Sequence, residues 1–299
     1  MQETRYIYAI VNIGNEAWFK KEVQFKKWPW KFSFSTSGYL TFKYEGNLSE
    51  KELLLELQNM DPSFARAIGV FQNKASAPHE QNIDEAVGMI FESFEVKPGE
   101  FWIGKRLPRP GVIDRNQVFA IAGDKGDGPS RTFHKAREAV ELLGLPLKSF
   151  PTILELGSAP GGTSLYFLES GTEVIGVDAA EMDQQCLKHP KFRHIKKPIQ
   201  SVTREDLGQA LKRIEFVSVD MNLMPSRSLK ESLRLVPWLP SLKHFMITLK
   251  TSRVEDIEYL QRYRTTLKKQ GFLKTRYFQL PSHRHETLLY ATDFKRDRA

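Results

Sequence analysis

Apolar and polar positions alternate from the start of the chain. Tyr6 to Val11 reads as a strand and Glu16 to Phe25 has helical composition, while Trp30 to Ser35 and Tyr39 to Tyr44 alternate like a hairpin around Ser37-Gly38. Ser49 opens a capping box with Glu52, three positions on, ahead of Leu53, Leu54, Leu55 and Leu57. A short apolar segment from Ala67 to Phe71 completes the order β-α-β-β-α-β, that of a ferredoxin-like module over residues 1–78. After a polar break, Ile83, Ala86, Val87, Ile90 and Phe94 keep helical spacing. Strand-like runs over Phe101 to Arg106 and Gln117 to Ala122 follow, separated by Pro108, Pro110 and Gly111. These describe a second small module over 79–128, ending in the turn-rich hinge Asp124-Lys125-Gly126-Asp127-Gly128-Pro129.

From 129 to 299 the pattern changes to strands alternating with helices. Ser130 is placed as an N-cap for a helix over Arg131 to Leu143, stopped by Gly144. Ile153 to Leu156 then forms an apolar strand that ends at Gly157-Ser158-Ala159-Pro160-Gly161-Gly162-Thr163 and passes into a helix with Leu165. Glu173 to Val177, Phe216 to Val219 and Phe245 to Leu249 read as further strands. Val254, Ile257, Leu260 and Leu267 make a helical stripe ended by Gly271, and Thr275 to Leu280 with Thr287 to Ala291 closes the chain as a hairpin. The expectation is a Rossmann-like α/β domain, a mostly parallel sheet with one antiparallel edge.

A strand, a glycine-rich turn and a helix make a nucleotide-like binding site, because glycine admits close backbone approach and the helix start offers unpaired N–H groups. A phosphate-binding loop of the ATPase kind needs a lysine where Thr163 stands. Gly157, Ala159 and Gly162 fit a loosened dinucleotide fingerprint, and Asp178 closes the next strand about twenty residues on. An acid there grips the ribose hydroxyls of either NAD or S-adenosylmethionine (SAM), so the loop leaves the cofactor open.

Net charge is +8 over 299 residues, which favours a polyanionic partner. Lys26, Lys27, Trp28, Trp30 and Lys31 interleave cations with aromatics, as suits phosphate contact with base stacking, and Arg131 adds a cation at the start of the α/β domain. The competing reading of that segment is a solvated basic face with its tryptophans in the core. A single cysteine, Cys186, rules out internal disulfides and cysteine-based metal clusters and is expected to be inert packing. His283 and His285 are expected to be solvated loop residues, since no third ligand has metal-site spacing. The polar start and the lack of a membrane-length apolar run make a soluble cytoplasmic protein the expectation, with a monomer as the default.

Polar residues at successive strand ends carry the specific signal. Gly157 to Gly162, Asp178, Asp220-Met221, Leu249-Lys250 and His285-Glu286 fall in an order that resembles the FtsJ-like SAM-dependent RNA ribose 2′-O-methyltransferases. The resemblance implies a Lys-Asp-Lys-Glu tetrad at Lys135, Asp220, Lys250 and Glu286, with Gly157, Ser158, Ala159, Pro160, Gly161, Gly162, Thr163, Asp178 and Asp220 holding SAM and no metal required. The segment Asp220 to Arg227, followed by Trp238-Leu239 and Ile247 to Lys250, is similar to the M-type branch, which acts on a cytidine of bacterial large-subunit (23S) rRNA. That branch implies a ferredoxin-like module and a THUMP-like RNA-binding module in front, and rRNA or a large-subunit precursor as partner. Family members commonly carry Trp where Thr163 stands. The Asp that reads adenine after the third strand is missing from His194 to Gln200, where backbone groups or Gln200 would substitute.

The expected chemistry is in-line attack of a ribose 2′-oxygen on the SAM methyl group. The sulfonium is already activated, so positioning and proton removal dominate. Lys250 is the expected base. An ordinary lysine near pKa 10.4 is protonated at neutral pH, and lowering it by about three units costs roughly 4 kcal/mol. A neighbouring Lys135 and partial burial act in that direction, with Asp220 opposing them and Glu286 orienting Lys135 or the ribose.

Overall fold

The computed structural model describes residues 4–79, 82–84, 88–110 and 131–295. They divide into two units, Met1–Asp124 with His283–His285, and Lys125–Ser282 with Glu286–Ala299.

In the first unit β1 (Tyr6–Ile10), α1 (Glu16–Phe25), β2 (Trp30–Thr36), β3 (Tyr39–Tyr44), α2 (Glu50–Asn59) and β4 (Ala67–Ala75) follow the expected order. The capping box is present: Ser49 Oγ accepts from the Glu52 N–H at 3.3 Å, and the Ser49 N–H donates to Glu52 at 2.8 Å. Beyond it, β5 (Asn82–Asp84), β6 (Met89–Lys97) and β7 (Glu100–Arg106) join the same antiparallel sheet, in the order β2-β3-β1-β4-β7-β6-β5. The helix expected over Ile83 to Phe94 is therefore corrected to strand at Asn82–Asp84 and Met89–Lys97. Ile90 and Phe94 are four residues apart, a spacing that satisfies a two-residue as well as a 3.6-residue period. Gly88, at φ 62°, turns the chain just before β6. The strand expected over 117–122, the hinge at 124–129 and the Ser130 cap lie outside the described residues.

Phe34 on β2 and Trp102 on β7 stand four strand positions apart, roughly 19 Å in a flat sheet. Their ring centroids are 4.8 Å apart, and so are those of Tyr39 on β3 and Phe94 on β6. The sheet is therefore strongly curled. Its outer face carries Phe42 against Phe19 of α1, with centroids 5.8 Å apart. Inside the curl the Tyr8 ring lies across Gly69 and Gly104; a Cβ on Gly69 would come within 2.6 Å of that ring. Tyr8 donates to Glu92 at 2.7 Å, and Arg106 Nε donates to the same carboxylate at 2.7 Å.

The second unit is a doubly wound α/β domain. Its sheet runs β10 (Phe192–Ile195), β9 (Glu173–Val177), β8 (Thr152–Leu156), β11 (Ile214–Val219), β12 (His244–Lys250), β14 (Glu286–Phe294), β13 (Phe272–Phe278). The helices are α3 (Arg131–Leu143), α4 (Gly162–Glu169), α5 (Gln184–Leu187), α6 (Arg204–Leu207), α7 (Pro225–Leu235) and α8 (Ile257–Lys269). The first five strands are parallel and β14 is antiparallel to both of its neighbours. The antiparallel strand thus lies one position inside the edge expected from the sequence. Its Thr287, Leu288 and Leu289 are buried in succession, which requires cover on both faces, whereas β13 exposes Leu273 and Lys274 and suits an edge. Strand order reverses between β8 and β11, the switch point at which open α/β sheets bind ligands.

Breaking the buried Arg106–Glu92 pair leaves an uncompensated charge inside the curled sheet. Arg106→Ala is expected to cost the first unit about 3–5 kcal/mol, read as an earlier urea transition by tryptophan fluorescence, while Lys43→Ala on the exposed part of β3 shifts it little.

Candidate active site

A cavity of about 380 Å³ opens at the switch point, and its lining gathers the loop after β8, the ends of β9, β11 and β12, the first turns of α3 and the start of β14. Glycines shape the floor. Gly157 has φ 84°, and a Cβ there would stand 2.6 Å from the Asp220 carbonyl oxygen. Gly161, at φ 125°, precedes α4 without a side-chain cap, so the helix presents its first N–H groups uncapped. Cys186 fills the space beneath: it is buried, and its Sγ donates to the Gly161 carbonyl at 3.4 Å. Burial pushes its thiol up to about 11, consistent with packing rather than reactivity.

Four side chains distant in sequence meet on one side of this cavity. Antiparallel pairing of β12 with β14 sets Lys250 directly opposite Glu286. Lys135, buried on α3, donates to Glu286 through a short hydrogen bond and stands 3.7 Å from Asp220 Oδ2. Lys250 Nζ is 3.4 Å from Asp220 Oδ1, with about a third of its side chain exposed. Asp220 Oδ1 itself is buried and makes no hydrogen bond among the described residues, which leaves an acceptor for a donor on a ligand. Two contacts fix α3 so that Lys135 reaches this point. Glu138, one turn on, accepts from the Ser282 N–H at 3.0 Å and the Ser282 hydroxyl at 2.7 Å, and Thr163 Oγ1 donates to the Thr132 carbonyl at 3.3 Å. Thr163 thus uses its hydroxyl where a tryptophan would pack.

Asp178 ends β9 and lines the cavity. Its carboxylate accepts from the Ala159 N–H at 3.1 Å and the Ala180 N–H at 2.9 Å, so it is oriented before any ligand arrives. Ser158, Ala159, Lys197, Ile199 and Gln200 also face the cavity, and Gln200 is exposed at its rim. Arg131 borders it too. Gly161, Gly162 and Pro160 are not among the lining residues; they act through the turn and the helix start.

Glu155 went unassigned in the sequence, although a lone acid within Ile153-Leu154-Glu155-Leu156 was there to be read. It is buried beneath the glycine loop and accepts a short hydrogen bond from Ser164. Burial pushes it up to about 8, with Asp220 and Asp178 adding to the rise and the Ser164 bond opposing it.

The aromatic–basic segment lies in the first unit and is largely structural. Trp30 is buried against Phe42 at 5.9 Å and Trp28 at 4.7 Å, which corrects its candidacy as a stacking surface. Lys26 is committed to Glu22 at 2.6 Å and the Asp61 carbonyl at 2.9 Å, and it lies over the half-buried Trp28. Lys27 and Lys31 remain exposed. His283, expected in solvent, is buried and its carbonyl accepts from Asn12 at 2.6 Å; His285 stacks on Trp18 at 4.4 Å. No group of three or more potential metal ligands occurs among the described residues, and no described helix is long and apolar enough to cross a membrane.

No protein-family model matches the chain. A ribosomal RNA large subunit methyltransferase M of Laribacter hongkongensis is 38% identical over 76 residues, 23% of this chain and 22% of that protein. A protein of the same name from Tolumonas auensis is 24% identical over 160 residues, 47% of this chain and 42% of its own. An uncharacterised protein of Methanocaldococcus jannaschii is 26% identical over 134 residues, 43% of this chain and 37% of its length. The aligned segments therefore span less than half of each of these curated relatives. Among solved structures, a protein assigned as a ribosomal RNA methyltransferase from Plasmodium falciparum is 18% identical over 55% of this chain and 97% of its own, with a TM-score of 0.45. A magnesium protoporphyrin IX methyltransferase from Synechocystis, with SAM bound, is 13% identical over 54% and 79%, with a TM-score of 0.40. Likeness at that level carries no functional argument.

An acid whose folded pKa lies above its unfolded value stabilises the fold fully below the unfolded value, and that contribution is lost as pH rises towards the folded one. For Glu155 the window runs from about 4.5 to about 8. The melting temperature of the wild type is expected to fall relative to Glu155→Gln between pH 5 and 8.5. A difference that stays constant with pH contradicts the protonated state.

Proposed function

We propose that this chain transfers the methyl group of SAM to a ribose 2′-hydroxyl of RNA, and that large-subunit rRNA is its substrate. The observation that carries the reading is the meeting of Lys135, Asp220, Lys250 and Glu286 on one side of a glycine-loop cavity. Two relatives named as large-subunit rRNA methyltransferases, and the chain's positive charge, support RNA as the acceptor.

The cavity fits SAM on its own features. Its size lies in the range of small-ligand sites. Gly157 leaves no room for a side chain on the floor, Asp178 is held ready for a ribose diol, and Asp220 Oδ1, with the Lys250 ammonium 3.4 Å away, makes no hydrogen bond among the described residues. When bound, SAM supplies a methyl group already activated by its sulfonium.

The remaining work falls to the chain's own side chains. Asp178 binds the cofactor's ribose hydroxyls, and Ile199 with Gln200 takes the adenine that the family's missing aspartate would read. Lys250 accepts the proton of the substrate 2′-hydroxyl, Asp220 orients that amine, and Glu286 holds Lys135 against the reacting ribose. Positioning and proton removal supply the rate, and no metal is needed.

Lys250→Ala is expected to lower transfer of labelled methyl from SAM to large-subunit rRNA at least about 100-fold, with SAM affinity by calorimetry unchanged. Lys250→Arg is expected to stay inactive, because a guanidinium does not give up its proton. Binding of both SAM and RNA by the wild type without any RNA methylation would instead make the chain a noncatalytic RNA-binding protein.

A further inference from the structure

Away from the cavity, two adjoining depressions on the second unit carry cations and aromatics with no carboxylate in either lining. The first, about 530 Å³, lies between α7 and α8, where Lys230, Arg262 and Tyr263 border an apolar floor of Leu229 and Leu233. The second, about 360 Å³, is bordered by Arg204, Lys212 and Trp238. Pro237 belongs to both, and the Arg234 guanidinium lies 5.2 Å from the centre of the Trp238 ring, bridging the two.

The helix pattern explains the alignment. Arg227, Lys230 and Arg234 recur at i, i+3 and i+7, which places them along one side of α7. Arg234 is fixed by donating to the carbonyls of Ile199 at 2.7 Å and Val202 at 3.0 Å, and Arg262 stacks over Tyr259 at 5.2 Å. The track also starts at the candidate active site. Leu223 lines the catalytic cavity, and Ser226, three residues later on the first turn of α7, lines the groove.

Acidic residues number 36 in this chain and none of the described ones lines either depression, Glu231 standing beside them 3.5 Å from Arg234 Nε; two aromatic rings set among five lining cations are complementary to a polyanion that also has stacking faces. We propose that the RNA strand leading into the catalytic cavity continues along this groove, with phosphates on Lys230, Arg262, Arg204 and Lys212 and bases against Tyr263 and Trp238. This rests on the RNA methyltransferase reading above and adds where the strand is held.

The test is fluorescence anisotropy of a labelled single-stranded 20-nucleotide RNA against the full chain, across a salt series, with SAM affinity and melting temperature measured in parallel. The double variant Lys230→Gln, Arg262→Gln changes two exposed positions outside the catalytic cavity. Its RNA affinity is expected to drop roughly tenfold, and the slope of log affinity against log salt to become shallower by about 1.4, the value for two lost phosphate contacts on a single strand. SAM affinity and melting temperature are expected to stay at the wild-type values. If wild type binds RNA and the double variant matches it in affinity and slope, the groove is not on the RNA path and the catalytic reading stands. If wild type neither binds nor methylates RNA, the catalytic reading fails and this inference with it.

Discussion

A single strand pairing holds the site together. β12 and β14 run antiparallel with Lys250 opposite Glu286, so two of the four converging side chains are set by backbone hydrogen bonding rather than by loops. Glu286 then draws in Lys135 from α3, and Asp220 at the end of β11 lies between the two lysines. A slip of β14 by one residue against β12 would turn Glu286 to the other face of the sheet while Lys250, held by the pairing of β12 with β11, stays in place.

The second constraint is space beneath the glycine loop. Gly157 approaches Asp220, Gly161 approaches Cys186, and Gly176 on β9 leaves room for Ser158, so the loop is wedged between two neighbouring strand ends. Glu155 sits under that wedge, bonded by Ser164 and surrounded by the Asp178 and Asp220 carboxylates. Glu155 is protonated at neutral pH, which leaves Asp178 and Asp220 as the charged acids around the loop, the latter flanked by Lys135 and Lys250.

Much of this was legible in the sequence because local signals agreed. The capping box at Ser49, Gly144 after α3, and the apolar runs ending at Asp178, Asp220 and Lys250 each mark an element end that the structure reproduces. What was not legible came from contacts between distant elements. The spacing of Ile90 and Phe94 serves a helix and a strand equally, and pairing with β7 together with the packing of Phe94 on Tyr39 makes it a strand. For Trp30 the sequence leaves a stacking surface and a core position both open, and the packing of Phe19 and Phe42 against it decides for the core. The groove along α7 and α8 was invisible for the same reason, since its cations come from four separate segments.

The central claim is that the acceptor atom is a ribose 2′-oxygen of RNA, and the most direct measurement locates the transferred methyl. Large-subunit rRNA is incubated with the chain and isotope-labelled SAM, digested to nucleosides and resolved by mass spectrometry. The account predicts label on the ribose of a 2′-O-methylnucleoside, at a linkage resistant to alkali. Label on a base, or none in RNA despite bound SAM, would contradict it.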